Sequence, residues 1–442
     1  MTSVAIRVKS GLRADLLAVA LSLILVGAAA GVGIYFNRPG SGVVIFAFAP
    51  PLYGDWLVHA GPGSVSAVLI AFAAVCWGPM FAATLPLRRL LPLGYVTAVA
   101  WTFSLAMIDG WTRGYAERLT QPSEYLHEVP GISDIPRMLT EFSSRILDFQ
   151  PNSWTTHVSG HPPGATLVFV WLDRIGLGGG AWAATACVAV GCLITVAIPA
   201  TLALLGRPDA ARATVPFAAL TPGAIWIGAS ADGLFAGVTA TAVMLLALAV
   251  HTRRAVYAIA GGVLLGFGMY LSYGLVLMGL IALAVVVLGK QWRVLGWAVA
   301  GAAVVIAVFT LAGFWWLDGY HLVVERYYQG IASERPYSYW VWADLAAVTI
   351  AAGPAVVAGV RRVMTGRPWG EPVLMIVVAA LLTIAFADLS GLSKAEVERI
   401  WLPFTVWLLP AVSLLPVSHR RWWLAAQAAT ALLVNHLVLT IW

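Results

Sequence analysis

The chain has 442 residues, 60% of them hydrophobic and 10% charged, with a mean hydropathy of +0.86. Soluble globular domains are about 45–50% apolar, so these values exclude a soluble globule and indicate an all-α polytopic membrane protein. The formal charge of +6 comes largely from Arg and Lys at the ends of apolar runs. That is how cytoplasmic helix ends are marked, and it gives no reason to expect nucleic acid as a partner; membrane lipids are the expected surroundings.

The first apolar run, 15–36, follows Arg7, Lys9 and Arg13 and has no small-residue cleavage site, so it reads as a retained signal-anchor. Residues 37–63 hold an apolar stretch, Val43 to Pro51, too short to span; a re-entrant segment and a lid both remain open for it. Further runs of near-spanning length follow at 64–86, 91–109, 182–205, 213–230, 233–251, 255–273, 274–289, 294–316, 341–360, 371–389, 400–417 and 422–441. With the first, they make thirteen. Cys76, Cys187 and Cys192 lie within these runs, which leaves the loops no disulfide or thiolate-metal framework.

Basic clusters at Arg88-Arg89, Arg207 with Arg212, Arg253-Arg254, Lys290 with Arg293, Arg361-Arg362 with Arg367, and His419-Arg420-Arg421 fall at alternate ends of the runs. Placing all of them in the cytoplasm puts the N-terminus inside and the C-terminus outside. Residues 109–180, Asp232 and the loops 317–340 and 388–399 then share the extracytoplasmic face. No internal repeat of span lengths is visible, which argues against an inverted-repeat transporter.

The long loop is the main polar island. Ile132, Ile135, Met138, Leu139, Phe142, Ile146 and Phe149 recur at helical spacing, with Ser133 or Asp134 as cap and Pro136 in the first turn. A second short helix is expected over 164–177. Both are too short to cross a bilayer and read as juxtamembrane helices forming a lid and floor.

Several charged residues at the outer ends of runs are candidates for chemistry. Asp109 ends an apolar run beside Gly110-Trp111, where a carboxylate at a partly desolvated rim can accept a proton from a hydroxyl. The competing reading is a boundary marker. His157 and His161 are four apart, but Ser159-Gly160 and Pro162-Pro163 favour an extended turn over a helical metal pair, so His161 reads as a phosphate or hydroxyl contact, or as a structural loop histidine. Asp232 stands in a tight turn between two runs, where Asp-Gly also invites a local hydrogen bond. Arg399, with Lys394 close by, is the cation best suited to grip a phosphate; Glu396 and Glu398 could instead neutralise it. The aromatic loop 317–340 suits sugar stacking, and equally an interfacial belt.

The run Asp109-Gly-Trp-Thr-Arg-Gly-Tyr-Ala-Glu-Arg-Leu, then Glu124-Tyr125-Leu126 and His161-Pro162-Pro163-Gly164, resembles the first external loop of GT-C glycosyltransferases, including the protein mannosyltransferase and aminoarabinose transferase relatives. Glu396-Val-Glu398-Arg399-Ile-Trp-Leu-Pro-Phe resembles the segment that enters a late helix of these enzymes from outside. The likeness covers about residues 90–260 in order of elements. Two departures stand out: Gly110 replaces the frequent acidic partner of the Asp, and two runs precede the matching core. The resemblance implies a GT-C-like bundle of about thirteen spans, divided as 1–90 (two N-terminal spans), 91–260 (catalytic core with external loop 110–180) and 261–442 (C-terminal spans with donor-side loops). It implies transfer of a hexose or pentose from a polyprenyl-phosphate donor to an envelope glycan or glycolipid acceptor, outside the cell membrane and with inversion. Asp109 would be the base, Arg399 with Lys394 and His161 would face the donor phosphate, and Asp232, Glu124 and Glu398 would complete the site. No cofactor is demanded, although a divalent metal is compatible. High Ala, Gly, Val and Arg content suggests a high-GC bacterium, and similar actinobacterial enzymes build mannans, arabinans and glycolipids. A lipid-linked saccharide transporter or flippase is the alternative; it would want polar residues midway through several spans. A non-catalytic scaffold that docks a partner through the loop is a third reading.

Overall fold

The computed structural model describes residues 11–365, 368 and 370–441. Arg7, Lys9 and Arg367, used above to orient the chain, lie outside the described residues. The protein is a helical bundle whose only paired strands among the described residues are Gly54–Trp56 and Val438–Thr440.

Among the described residues, six helices are long and apolar enough to cross a membrane: Leu12–Phe36, Gly63–Thr84, Gly180–Leu204, Ala231–Thr252, Trp292–Leu311 and Pro372–Leu389. Two bent pairs raise the number to as many as eight. The other predicted runs are also helical, but shorter or broken. Helix Leu87–Ala106 fills the third, and Ala255–Leu271 and Tyr273–Gly289 are short apolar helices.

The predicted span 341–360 is broken in the middle. Helices Tyr337–Ala352 and Pro354–Val363 meet at 107°. Gly353 takes φ +84°, open to glycine at no steric cost, and Pro354 cannot continue the backbone hydrogen-bond ladder. A break in an apolar setting needs its freed backbone groups satisfied. Gln427 does this from a neighbouring helix, its amide donating to the Ala352 carbonyl (2.6 Å) and accepting from the Ala355 N–H (3.2 Å). A second bend, of 115°, separates Leu402–Leu414 from Val417–Leu437, where Pro403, Pro410 and Pro416 punctuate the chain. The predicted run 422–441 ends early for another reason: its helix stops at Leu437, and the next three residues pair as a strand with Gly54–Trp56.

Burial divides the bundle into centre and periphery. The most apolar window of Ala231–Thr252 is 72% buried, against 11% for Leu12–Phe36 and for Gly63–Thr84. The central helix packs on the helices 180–204, Ala255–Leu271 and Met278–Gly289, and its N-terminal turn touches Leu402–Thr405. Small residues permit the closest crossings: a Cβ on Gly237 would meet the Val190 carbonyl at 1.8 Å, and one on Gly262 the Ala298 carbonyl at 2.0 Å.

The loop helices form as expected, although the first is shorter. Asp134 caps Ile135–Glu141 by accepting from the Arg137 N–H (3.0 Å). A 3-10 turn, Ser143–Arg145, follows, and Phe149 leaves the helical pattern altogether at φ +66° with 83% of its surface exposed. The second helix runs Pro163–Arg174, with its first half buried.

Candidate functional site

The long helices carry charge at both ends, and the two ends differ. At one, Asp15 is buried between Arg362 (Nε to Oδ2 2.9 Å) and Arg361 (Nη2 to Oδ1 2.6 Å), while Arg207 pairs with Glu371. Arg88 and Arg89 open helix Leu87–Ala106, and Arg253 and Arg254 follow helix Ala231–Thr252. At the opposite ends of those same two helices stand Asp109 and Asp232. The sequence-predicted acids thus lie away from the arginine clusters, where the loop 110–180 and residues 394–400 also gather.

Asp109 is held in the turn that ends helix Leu87–Ala106, its N–H donating to the Ala106 carbonyl (3.3 Å). Oδ1 meets His59 Nε2 at 2.8 Å, and Oδ2 faces Arg113 Nε at 3.7 Å. The carboxyl lines a cavity of about 10 Å³ with Arg118, Asn435 and Thr440, room for about one water. A sugar does not fit without movement of the surrounding segments.

The walls of that cavity come from distant parts of the chain. Strands Gly54–Trp56 and Val438–Thr440 pair antiparallel, Gly54 opposite Thr440 and Trp56 opposite Val438, which draws residues 54–59 and the C-terminal strand over Asp109. Arg113 and Arg118 both donate to the Thr440 carbonyl, at 3.3 and 2.7 Å. Burial and the neighbouring Arg113 pull the Arg118 guanidinium down to about 10, while Asp109 and Glu124 act against that.

Asp232 lies in the first turn of the central helix, capped by Ser230, and is 2% exposed. Its Oδ2 takes Arg399 Nη1 at 2.5 Å, and Arg399 Nη2 donates to Glu396 Oε2 at 3.0 Å. Burial opposes the Arg399 charge, yet Asp232 and Glu396 raise its affinity for the proton above the ordinary value. Arg335 donates to Glu396 Oε1 (3.2 Å) and to the Lys394 carbonyl (2.8 Å). Lys394 is turned toward the Arg335 carbonyl (2.9 Å) and the rings of Tyr327 and Tyr328. Glu398 accepts from the Tyr53 N–H (2.9 Å), and burial pushes its carboxyl up to about 7.

Glu124 and His161 both lie near enough to Arg399 to feel its charge. Oε1 of Glu124 meets His157 Nδ1 at 2.9 Å, and Oε2 has no hydrogen-bond partner among the described residues. Burial alone would raise the Glu124 carboxyl; His157 and Arg399 outweigh it and hold it below the usual range. His161 packs between Tyr125 and Phe235, with Nδ1 2.8 Å from the His157 carbonyl. Burial lowers it to about 4, so the ring is neutral, Nδ1 carries the proton, and Nε2 accepts rather than donates.

Four separated segments therefore bring together Asp109, Arg118, Glu124, His161, Asp232 and Arg399. Lys394 and Glu398 stand behind Arg399, committed to backbone partners. Sequence reasoning passed over His59, Arg118 and Arg335. The only signal for His59 was a lone histidine just before Gly61-Pro-Gly63 in a segment of open role. Among the described residues, no group of three or more His, Cys, Asp or Glu is placed to hold a metal ion.

Fold and site define a multi-pass membrane protein with a buried, charge-paired cluster at one end of its bundle. No family model and no curated protein matches the chain. Among solved structures it is similar to the Archaeoglobus fulgidus oligosaccharyltransferase in complex with Zn and sulfate, at 12% identity and a TM-score of 0.48, over 79% of this chain and 53% of that one. The same enzyme tethered to an acceptor peptide through a disulfide gives 12% identity and a TM-score of 0.42, over 76% and 50%. The chain spans about half the length of those structures.

Proposed function

We propose that the protein is a GT-C-type glycosyltransferase that moves a hexose or pentose from a polyprenyl-phosphate donor to an envelope glycan or glycolipid, at the extracytoplasmic face of the cell membrane. The observation that carries this reading is the gathering of Asp109, Glu124, Asp232 and two arginines at the bundle end opposite the cytoplasm-type arginine clusters.

In the proposed reaction the acceptor hydroxyl oxygen attacks the anomeric carbon while the bond from that carbon to the phosphate oxygen breaks. The electron pair leaves with the lipid phosphate, the hydroxyl proton passes to Asp109, and the anomeric configuration inverts. Cations at the phosphate stabilise the leaving group. Arg399 is the proposed phosphate ligand, exchanging part of its contact with Asp232 or Glu396 for the donor, and Arg118 adds a cation in the cavity that Asp109 lines. Lys394 supplies positive potential behind Arg399. His161, neutral and with Nε2 as acceptor, suits a sugar hydroxyl in this state better than a phosphate oxygen. Glu124 Oε2 is a further acceptor for a hydroxyl, and Asp232 and Glu398 orient the loop that carries Arg399. Since the cavity holds about one water, the loops must open to admit donor and acceptor.

The test is transfer by purified protein in lipid nanodiscs, supplied with a panel of polyprenyl-phosphate sugars and an envelope acceptor extract. Sugar transfer that disappears in Asp109→Asn while the variant stays folded supports the proposal. Transfer indifferent to that substitution overturns it.

A further inference from the structure

Asp109 is met by a histidine whose position is fixed from both sides. The His59 N–H donates to the His436 carbonyl (2.9 Å), and the Leu57 N–H to the Leu437 carbonyl (3.0 Å), so the end of helix Arg420–Leu437 places the backbone. Downstream, a Cβ on Gly61 would come to 2.0 Å of the Ile108 carbonyl, and one on Gly63 to 2.0 Å of the Ser104 carbonyl. The Gly63 N–H also donates to the Met107 carbonyl (3.0 Å). Two glycines thus press the segment against the turn that carries Asp109, an approach that no side chain would allow.

The ring contacts constrain the protons. Nδ1 lies 2.9 Å from the Leu57 carbonyl, which can only accept, so this contact requires a proton on Nδ1. Nε2 lies 2.8 Å from Asp109 Oδ1, and this contact needs a second proton between the two atoms. Imidazolium facing carboxylate and neutral imidazole facing carboxylic acid both meet the requirement. Either arrangement occupies Oδ1 and leaves Oδ2 with no hydrogen-bond or ion-pair contact among the described residues closer than Arg113 Nε at 3.7 Å; Asp109 itself lines the cavity together with Arg118.

We infer that His59 is the positioning residue of Asp109, holding Oδ1 so that Oδ2 is the oxygen presented to the acceptor hydroxyl. This inference rests on the glycosyltransferase reading above. As the acceptor oxygen bonds to the anomeric carbon and the bond to phosphate breaks, the shared proton resides on Nε2. Oδ2 takes the hydroxyl proton, and the electron pair departs on the phosphate. The protonated carboxyl then returns its proton to water as product leaves. His59 touches neither sugar nor phosphate; it sets the direction of the carboxylate, and reaction geometry displaced by about 1 Å costs on the order of 100-fold in rate.

The experiment compares His59→Gln, His59→Asn and His59→Ala with the wild type and Asp109→Asn in nanodiscs, with initial rates measured over donor and acceptor concentration. Gln places an amide N–H near the position of Nε2, whereas Asn reaches only the position of Nδ1. The expected result is a kcat loss of about 100-fold for Ala and Asn, with KM little changed, and partial recovery in Gln. Equal rates in Ala, Asn and Gln, or a loss confined to KM, overturn the role of His59 while the transferase reading stands on Asp109→Asn. An active Asp109→Asn overturns both. Should the His59 variants fail to fold, ¹⁵N NMR of the histidine-labelled wild type decides: the His59 Nε2 resonance is expected to move when Asp109 becomes Asn, and an unmoved resonance overturns the contact.

Discussion

Asp109 and Asp232 both lie at the ends of apolar helices, but they have opposite partners. Asp232 is 2% exposed and bound to a guanidinium that stays charged at any working pH, with Glu396 on the other side of the same cation. Asp109 faces a histidine ring rather than a guanidinium at hydrogen-bond distance, and it borders a cavity. One pair suits a fixed electrostatic framework, the other proton exchange. Chemical type and position along a helix do not separate the two acids; the partner does.

The largest expected effect isolates the proton-exchanging member. Asp109→Asn should lower transfer about 100- to 10,000-fold, the usual range for loss of a general base, with an unfolding temperature close to the wild type's. A drop in stability as large as the drop in rate would erase the distinction drawn here. The framework pair should respond the other way. Arg399→Met leaves the buried Asp232 without its cation, while Glu396 keeps Arg335, and should destabilise the fold by about 3–5 kcal/mol, measured by denaturant unfolding in detergent. Adding Asp232→Leu should restore part of that loss, because removing both members of a buried pair costs less than removing one. If the double variant is no better than the single, the pair is not a framework in this sense.

Two smaller effects sharpen the comparison through pH. The folded-state pKa of His161 is lowered to about 4 from 6.5, so its stabilising contribution is fully present above pH 6.5 and is lost as pH falls toward 4. In His161→Asn the amide can keep the donor toward the His157 carbonyl, and the acid-side fall in unfolding temperature should flatten. Glu398 has the opposite sign. Its pKa is raised from 4.5 to about 7, so the folded state binds the extra proton and stability declines as pH rises through that interval. Glu398→Gln preserves an acceptor for the Tyr53 N–H and should gain on the wild type above pH 7, with the advantage vanishing near pH 4. Parallel wild-type and variant curves would rule out a titrating role for either residue.

Much of the helix framework was legible in the chain. Long apolar runs locate helices because the backbone must satisfy itself in a lipid-like setting, and the long helices appear where hydropathy puts them. Runs 341–360 and 422–441 were misread because hydropathy is blind to backbone continuity. Gly353-Pro354 turns the chain within apolar composition, and Val438–Thr440 is as apolar as the helix it leaves. Asp109, Asp232 and Arg399 stood out individually because charge at the end of an apolar run is costly to keep.

Sequence by itself determined the helical membrane class, the separation of the arginine clusters from Asp109 and Asp232 along the helices, and which acids and cations to watch. Each of these depends on local composition or on the periodic cost of exposing polar groups. Partnership was decided only by the tertiary structure. His59 reaches Asp109 across fifty positions, and Asp232 reaches Arg399 across 167. Nothing local encodes either contact: the first depends on a two-strand clip and two glycines that permit a close crossing, the second on the packing of helix Ala231–Thr252 against the segments Val397–Ile400 and Leu402–Thr405.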